Sequence, residues 1–263
     1  MEVRQPAVAG TFYQDSPDRL RLDLGNMLED ADSPALDPFA IKALIVPHAG
    51  YVYSGPVAAT AYKLLEPRRH QIKRVVLLGP SHHVPLTGMA APKSKVFRTP
   101  LGDIPVDQGA INSISGLPGV VLRDDAHAGE HSLEVQLPFL QWVLDDFVLI
   151  PLVVGHADSE TVATVLEQLW GGEETLIVIS SDLSHFLPYT AAKSSDSDTS
   201  ELITHLSDTI VGEQACGCHP LNGLLKLARS KGLTVSTLDL RNSGDTAGTR
   251  DQVVGYGSYA VYR

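Results

Sequence analysis

The sequence predicts one α/β domain over residues 1–263, with a central, mostly parallel or mixed sheet flanked by helices. Three apolar runs carry that expectation: Ala43-Leu44-Ile45-Val46, Arg74-Val75-Val76-Leu77-Leu78 and Leu176-Ile177-Val178-Ile179. Their β-branched, non-alternating composition is that of strands buried on both faces, as in a parallel sheet covered by helices. Each run also ends in polar, histidine-bearing sequence. The first leads into Pro47-His48, the second into Gly79-Pro80-Ser81-His82-His83, and the third into Ser180-Ser181-Asp182-Leu183-Ser184-His185. Open parallel sheets bind ligands in the crevice outside the carboxyl ends of their strands. If the three runs are parallel neighbours, His48, His82, His83, Asp182 and His185 converge on one cavity.

Taken in order, the chain opens on an extended arm, Ala7 to Tyr13. Ser16-Pro17-Asp18 then starts a helix with apolar spacing at Leu20, Leu22, Leu24, Met27 and Leu28. An acidic, proline-bearing loop is expected over 30–40 and the first core strand over 42–47. A glycine-rich turn enters a small-residue helix near 56–65, and the second strand covers 73–79. Pro85, Pro92, Pro100 and Pro105 make 84–106 read as a long excursion over the active face. Glu130 to Leu137 reads as the start of an amphipathic helix. Pro151 interrupts the strand-like run 147–154 and implies an edge position or a bulge. A helix at 161–169 and a strand at 175–181 follow. Residues 191–198 read as a mobile surface segment, ahead of helices near 199–211 and 216–230 and strands at 233–240 and 254–262.

Composition narrows the function classes. Hydrophobic residues make up 43% and charged residues 19%, as in a soluble globular protein. A net charge of −11 argues against nucleic acid as a partner, because phosphate binding needs a basic surface. No apolar stretch reaches the roughly 18 residues of a membrane span. The N-terminus lacks the plan of a signal peptide. The two cysteines, Cys216 and Cys218, are too close in sequence for an unstrained disulfide. A reducing, cytoplasmic compartment is expected.

The candidate site is built from five segments. His48 lies in a strand-to-helix turn whose Gly50 and Gly55 permit close backbone approach. Adjacent extended residues point to opposite sides, so one of His82 and His83 faces a metal and the other is free for a substrate group. Asp182 and His185 share a face if the chain turns helical after Ser181, and the carboxylate would then fix the imidazole tautomer for acid–base work. Asp182 reads alternatively as a helix N-cap. His131 and Glu134 are three apart on their expected helix, either as surface groups or in support of the site. Cys216-Gly217-Cys218-His219 precedes an apolar helical pattern, where a thiol pKa is lowered. Together with the histidines it suggests a mixed nitrogen–sulfur site suited to zinc, copper or iron. His156 could line the cavity, whereas His70 and His205 read as surface residues.

These motifs, in this order, resemble the Memo family, named for the mediator of ErbB2-driven cell motility. The likeness runs from Ala9-Gly10-Thr11-Phe12-Tyr13 through Pro47-His48-Ala49-Gly50-Tyr51, Gly79-Pro80-Ser81-His82-His83-Val84-Pro85-Leu86 and Glu130-His131-Ser132-Leu133-Glu134 to Ser180-Ser181-Asp182, His185 and Cys216-Gly217 with His219-Pro220. The resemblance implies a fold similar to class III extradiol dioxygenases. It implies metal ligation by His48, His82 and Cys216, the cysteine standing where the dioxygenases carry a glutamate. His185, with Asp182 beside it, matches the acid–base position, and Phe12 matches an aromatic at the pocket edge. Tyr51, His83, His131 and Glu134 complete the expected substrate-binding set. The expected metal is iron or copper ahead of zinc, and the expected chemistry is redox turnover of a small substrate. A binding module for an anionic or aromatic ligand or peptide is the alternative, and a zinc hydrolase a weaker one. The resemblance also implies a functional link to radical-SAM and AMMECR1-type proteins.

Overall fold

The computed structural model describes residues 2–32 and 34–263. The first half of the chain forms β1 (Val3–Arg4), α1 (Pro17–Asp30), β2 (Ile41–Val46), α2 (Tyr51–Lys63), β3 (Arg74–Pro80), β4 (Met89–Ala91), β5 (Val96–Thr99), β6 (Gly102–Pro105), α3 (Gln108–Ile114), β7 (Val120–Leu122) and α4 (Asp125–Ala128). The second half forms α5 (Leu137–Val143), β8 (Val148–Val154), α6 (Ser159–Gln168), β9 (Thr175–Ser180), β10 (His185–Leu187), α7 (Tyr189–Thr204), α8 (Cys218–Ser230), β11 (Thr234–Asn242) and β12 (Val253–Tyr262).

The three histidine-bearing runs are parallel neighbours, as their composition predicts. Among the described residues the main sheet runs β10-β12-β2-β9-β3-β8-β4-β7, with β11 paired to β12. β2, β9, β3 and β8 are mutually parallel, and β12 closes the group antiparallel to β2. Val75–Leu78 of β3 and Leu176–Ile179 of β9 are wholly inaccessible, so both sheet faces are covered. The register sets Val46 beside Ser180 and Leu78 beside Ile179. The carboxyl ends of β2, β9 and β3 are therefore level, and the chain leaves all three at one edge of the molecule.

Four expectations are corrected. Residues 84–106 are not a structureless excursion: β4 joins the main sheet, while β5 and β6 form a small sheet with β1. Pro85 precedes β4, Pro92 and Pro100 fall between the strands and Pro105 ends β6, where a missing N–H is tolerated. Pro151 lies inside β8, opposite Leu77 of β3. It points to the same side as Leu149, whose carbonyl accepts from Asp107 N–H, while β4 pairs only from Val153 onward. The proline thus occupies a local gap in the outer ladder. The segment read as mobile, 191–198, belongs to α7, which ends at Thr204 instead of running to 211. Ala192, Asp196, Thr199, Ser200 and Ile203 form its buried face, and Asp196 accepts from Ser184 N–H at 3.0 Å. Finally, Glu130–Leu133 is not helical; a short 3-10 turn, Glu134–Gln136, leads into α5.

The helix expected from residue 56 begins at Tyr51, with Pro56 in its second turn. Of the loop expected over 30–40, residue 33 lies outside the described residues, and Pro38–Ala40 form a 3-10 turn. No described helix is long and apolar enough to cross a membrane.

Candidate metal centre

His48 leaves the end of β2 fully buried, with its backbone N–H donating to Asp182 Oδ1 at 2.7 Å. Its Nδ1 lies 2.9 Å from Ser180 Oγ. Ser180 has one hydroxyl proton, and it goes to the Ser132 carbonyl at 2.6 Å, while Gln136 Nε2 donates to the same Oγ at 2.8 Å. With the serine proton committed, His48 Nδ1 must be the donor. Its Nε2 then carries a lone pair, and Cys216 Sγ stands 3.3 Å from it.

His82, at the end of β3, is fixed by the same logic. Its Nδ1 lies 2.9 Å from Glu130 Oε1, so Nδ1 donates to the carboxylate and Nε2 is left as the free ligand atom. Glu130 also accepts from the backbone N–H groups of His82 at 2.6 Å and of His131 and Ser132 at 2.9 Å. Burial pushes the Glu130 carboxyl up, but the hydrogen bonds from the His82 side chain and backbone outweigh it and hold it at about 2. Glu130 is therefore an anion anchoring a histidine, the usual support for a metal-ligating imidazole.

His131 closes the group. Its ring stacks on His82 at 4.5 Å between centroids, meets His48 edge-on at 5.6 Å, and packs against Phe12 at 4.8 Å. One donor nitrogen from each of His48, His82 and His131 lies within 4.8 Å of the others, so the three could hold a metal ion. Burial, then repulsion from neighbouring His82, pushes His131 down to about 4, and the same causes depress His48 well below the usual imidazole value. Both are neutral at physiological pH, as metal ligation requires.

Cys216 departs from expectation. It precedes α8, whose N-cap is Gly217, and so lies outside the helix. Burial, then the charge of Asp182, raises its thiol instead of lowering it. The metal-free thiol is protonated and not the oxidation-prone thiolate that the helix start suggested. A Cβ on Gly217 would lie 2.7 Å from Ser181 Cβ and 2.8 Å from the Ser180 carbonyl, so glycine lets this loop press onto the end of β9. Cys216 falls outside the group of mutually close donor atoms, although its contact with His48 is direct. Cys218 is buried on α8.

His185 and Asp182 are not the helical pair that their spacing suggests. Residues 181–184 are irregular, and His185 starts β10. The His185 tautomer is set by the Leu183 carbonyl, 2.8 Å from Nδ1, which leaves Nε2 free. The Asp182 carboxylate instead takes the backbone N–H groups of His48 and Ala49, and burial raises its pKa. Phe186 holds a left-handed backbone, φ 58°, with an exposed ring next to His185.

The remaining expected residues divide. Phe12 is half-buried against His131 and lines a cavity of about 450 Å³ with Tyr13, Met27 and Tyr51. His83 is exposed, 5.8 Å from His131 between ring centroids, and shares a groove of about 370 Å³ with His82, His156, Cys216 and His219. The Tyr51 phenol donates to the Val135 carbonyl at 2.7 Å. Glu134 is wholly inaccessible and faces the N-terminal arm instead of the cavity. Glu130, Ser180, Ser132 and Gln136 had no assigned role in the sequence. Only the Glu130-His131 adjacency offered a signal, a carboxylate beside an imidazole in an aperiodic stretch.

His127, on α4 just ahead of Glu130, gives a pH prediction. It is buried, with Nε2 2.9 Å from the Ala90 carbonyl and Nδ1 without a partner among the described residues. Burial pushes its pKa from 6.5 down to about 4. Between those values the unfolded chain binds the extra proton, so stability is full above pH 6.5 and falls as pH drops toward 4, by about 3 kcal/mol. Urea denaturation at pH 7 and 4.5 should show a smaller acid loss for His127→Gln than for the wild type. Equal losses would exclude His127 as a contributor.

Comparison with known proteins gives one consistent result. The family model described as Memo-like protein matches residues 4–260. A MEMO1 family protein of Methanosarcina barkeri is 36% identical over 277 residues, covering 98% of this chain and all of that protein. One from Aquifex aeolicus is 36% identical over 275 residues, covering 97% and 98%. The crystal structure of an uncharacterised Escherichia coli K12 protein superposes with a TM-score of 0.52 at 13% identity, covering 82% of this chain and 99% of that one, a likeness of fold.

Proposed function

The chain belongs to the Memo family, and from that premise we propose that it is a metal-dependent oxidoreductase acting on a small substrate. The observation that supports this most is the pair of fixed tautomers. Ser180 and Glu130 take the Nδ1 protons of His48 and His82, which leaves two Nε2 lone pairs in one group of donors.

The donor set fits a transition metal. Neutral imidazoles with an adjacent thiol suit iron, copper or zinc, whereas magnesium and calcium prefer oxygen. A sulfur and a nitrogen sharing one tetrahedral ion at bond lengths of about 2.3 and 2.1 Å stand about 3.6 Å apart; Cys216 Sγ and His48 Nε2 stand 3.3 Å apart. We assign His48, His82 and Cys216 as ligands, with iron or copper ahead of zinc. When bound, such an ion would supply one-electron and Lewis-acid chemistry. Cys216 gives up its proton only when a cation is present to offset the charge. His185 holds or releases a proton at Nε2, because Leu183 keeps Nδ1 occupied. Phe12 and His131 form one wall and orient a planar substrate by stacking.

The test is elemental analysis of reduced protein followed by oxygen uptake with a catechol panel. His185→Ala should keep its metal and lose activity by a factor of about 10²–10⁴, the usual worth of a positioned acid–base group. Loss of metal in that variant would make His185 a ligand. Full activity without it would remove its proposed role.

A further inference from the structure

We propose that the mouth of the centre carries a second cation position, formed by His83, Glu130 and His131. One donor atom from each of these three lies within 4.8 Å of the others. His131 is within reach of both groups, but a single imidazole nitrogen serves one ion. Cys216 supplies the inner position with a third donor, which leaves His131 to the outer one; this step rests on the ligand set proposed above.

Glu130 and His83 each offer a free electron pair, and His131 lies beside them with Nδ1 3.4 Å from Glu130 Oε1. Glu130 Oε1 accepts from His82 Nδ1 and from the His131 and Ser132 N–H groups, and is filled. Oε2 accepts only from His82 N–H among the described hydrogen bonds. A carboxylate oxygen has two lone pairs, so Oε2 keeps one directed away from that bond. The His83 ring has no hydrogen-bond partner among the described residues and stands in solvent, where it can turn toward an ion. Two nitrogens and one anionic oxygen, with no sulfur, suit Zn(II), Mn(II), Fe(II) or Cu(II) and not Cu(I). The outer position therefore differs from the inner in both selectivity and exposure, and it exchanges its ion more readily.

The test is a calorimetric titration of reduced, metal-free protein with Zn(II), the stoichiometry checked by dialysis and elemental analysis. The wild type is compared with His83→Ala and His48→Ala, and circular dichroism verifies folding. Exposed His83 can be replaced without disturbing the core. The wild type should take two equivalents, a tighter and a weaker. His83→Ala should lose only the weaker and His48→Ala only the tighter. A wild type that saturates at one equivalent, lost in His48→Ala, overturns the outer position and leaves the inner one standing. One equivalent lost in His83→Ala and kept in His48→Ala supports the outer position and overturns the inner. Retention of both equivalents by His83→Ala also overturns the proposal.

Discussion

Glu134→Ala should destabilise the protein by about 3–5 kcal/mol, the usual cost of removing one member of a buried ion pair. Glu134 pairs with Arg4, and their side chains are 0% and 3% exposed. The same carboxylate accepts from Ala7 N–H at 2.7 Å, Val8 N–H at 3.0 Å and the Tyr13 hydroxyl at 2.6 Å. Alanine would leave a buried guanidinium without its counter-charge and strip three donors of their acceptor. Among the described residues, Arg4 would keep only its hydrogen bonds to the carbonyls of His127 at 3.0 Å and Glu130 at 2.6 Å. Those two contacts tie the arm to the loop that carries Glu130 and His131, so the variant should also bind metal more weakly. Urea denaturation of both proteins measures the first effect. A loss below about 1 kcal/mol, the range of exposed pairs, would show that the network is not a structural tie.

The frame of the molecule was legible because three unbroken apolar runs have one physical solution, a doubly covered parallel sheet. Their polar ends then fixed where the chemistry lies, and His48 and His82 meet there. What escaped depends on contacts remote in sequence. Glu134 read as a partner of His131 from a three-residue spacing, at the surface or in support of the site, yet its counter-ion is Arg4, 130 residues upstream. α7 was hidden because Asp196, Thr199 and Ser200 make up three of the five residues of its buried face, so composition read as solvent. Cys216 was misjudged because a helix start lowers a thiol pKa only from within the first turn, and here burial dominates. Asp182 and His185 were paired by spacing, but backbone groups claim both side chains. Residues 130–133 have no period to read, and the Glu130 anchor lies there.

His48→Ala should weaken metal binding at the inner position by more than about 100-fold, since even partners behind a ligand are worth 10–100-fold. Removing His48 deletes the donor that Ser180 fixes and opens a pocket beside Cys216. Ser180→Ala should fall in the lower range, because it frees the tautomer without deleting the donor. Equilibrium dialysis with a competing chelator measures both. Unchanged affinity in His48→Ala would place the ion elsewhere.

The claim that one ion is shared by His48, His82 and Cys216 is tested most directly by the absorption spectrum of reduced protein titrated anaerobically with Co(II). The account predicts a thiolate-to-cobalt charge-transfer band that stops growing at one equivalent in the wild type, is absent from Cys216→Ser and persists in Cys218→Ser. A wild-type spectrum without a sulfur band, or the same band in all three proteins, would contradict it.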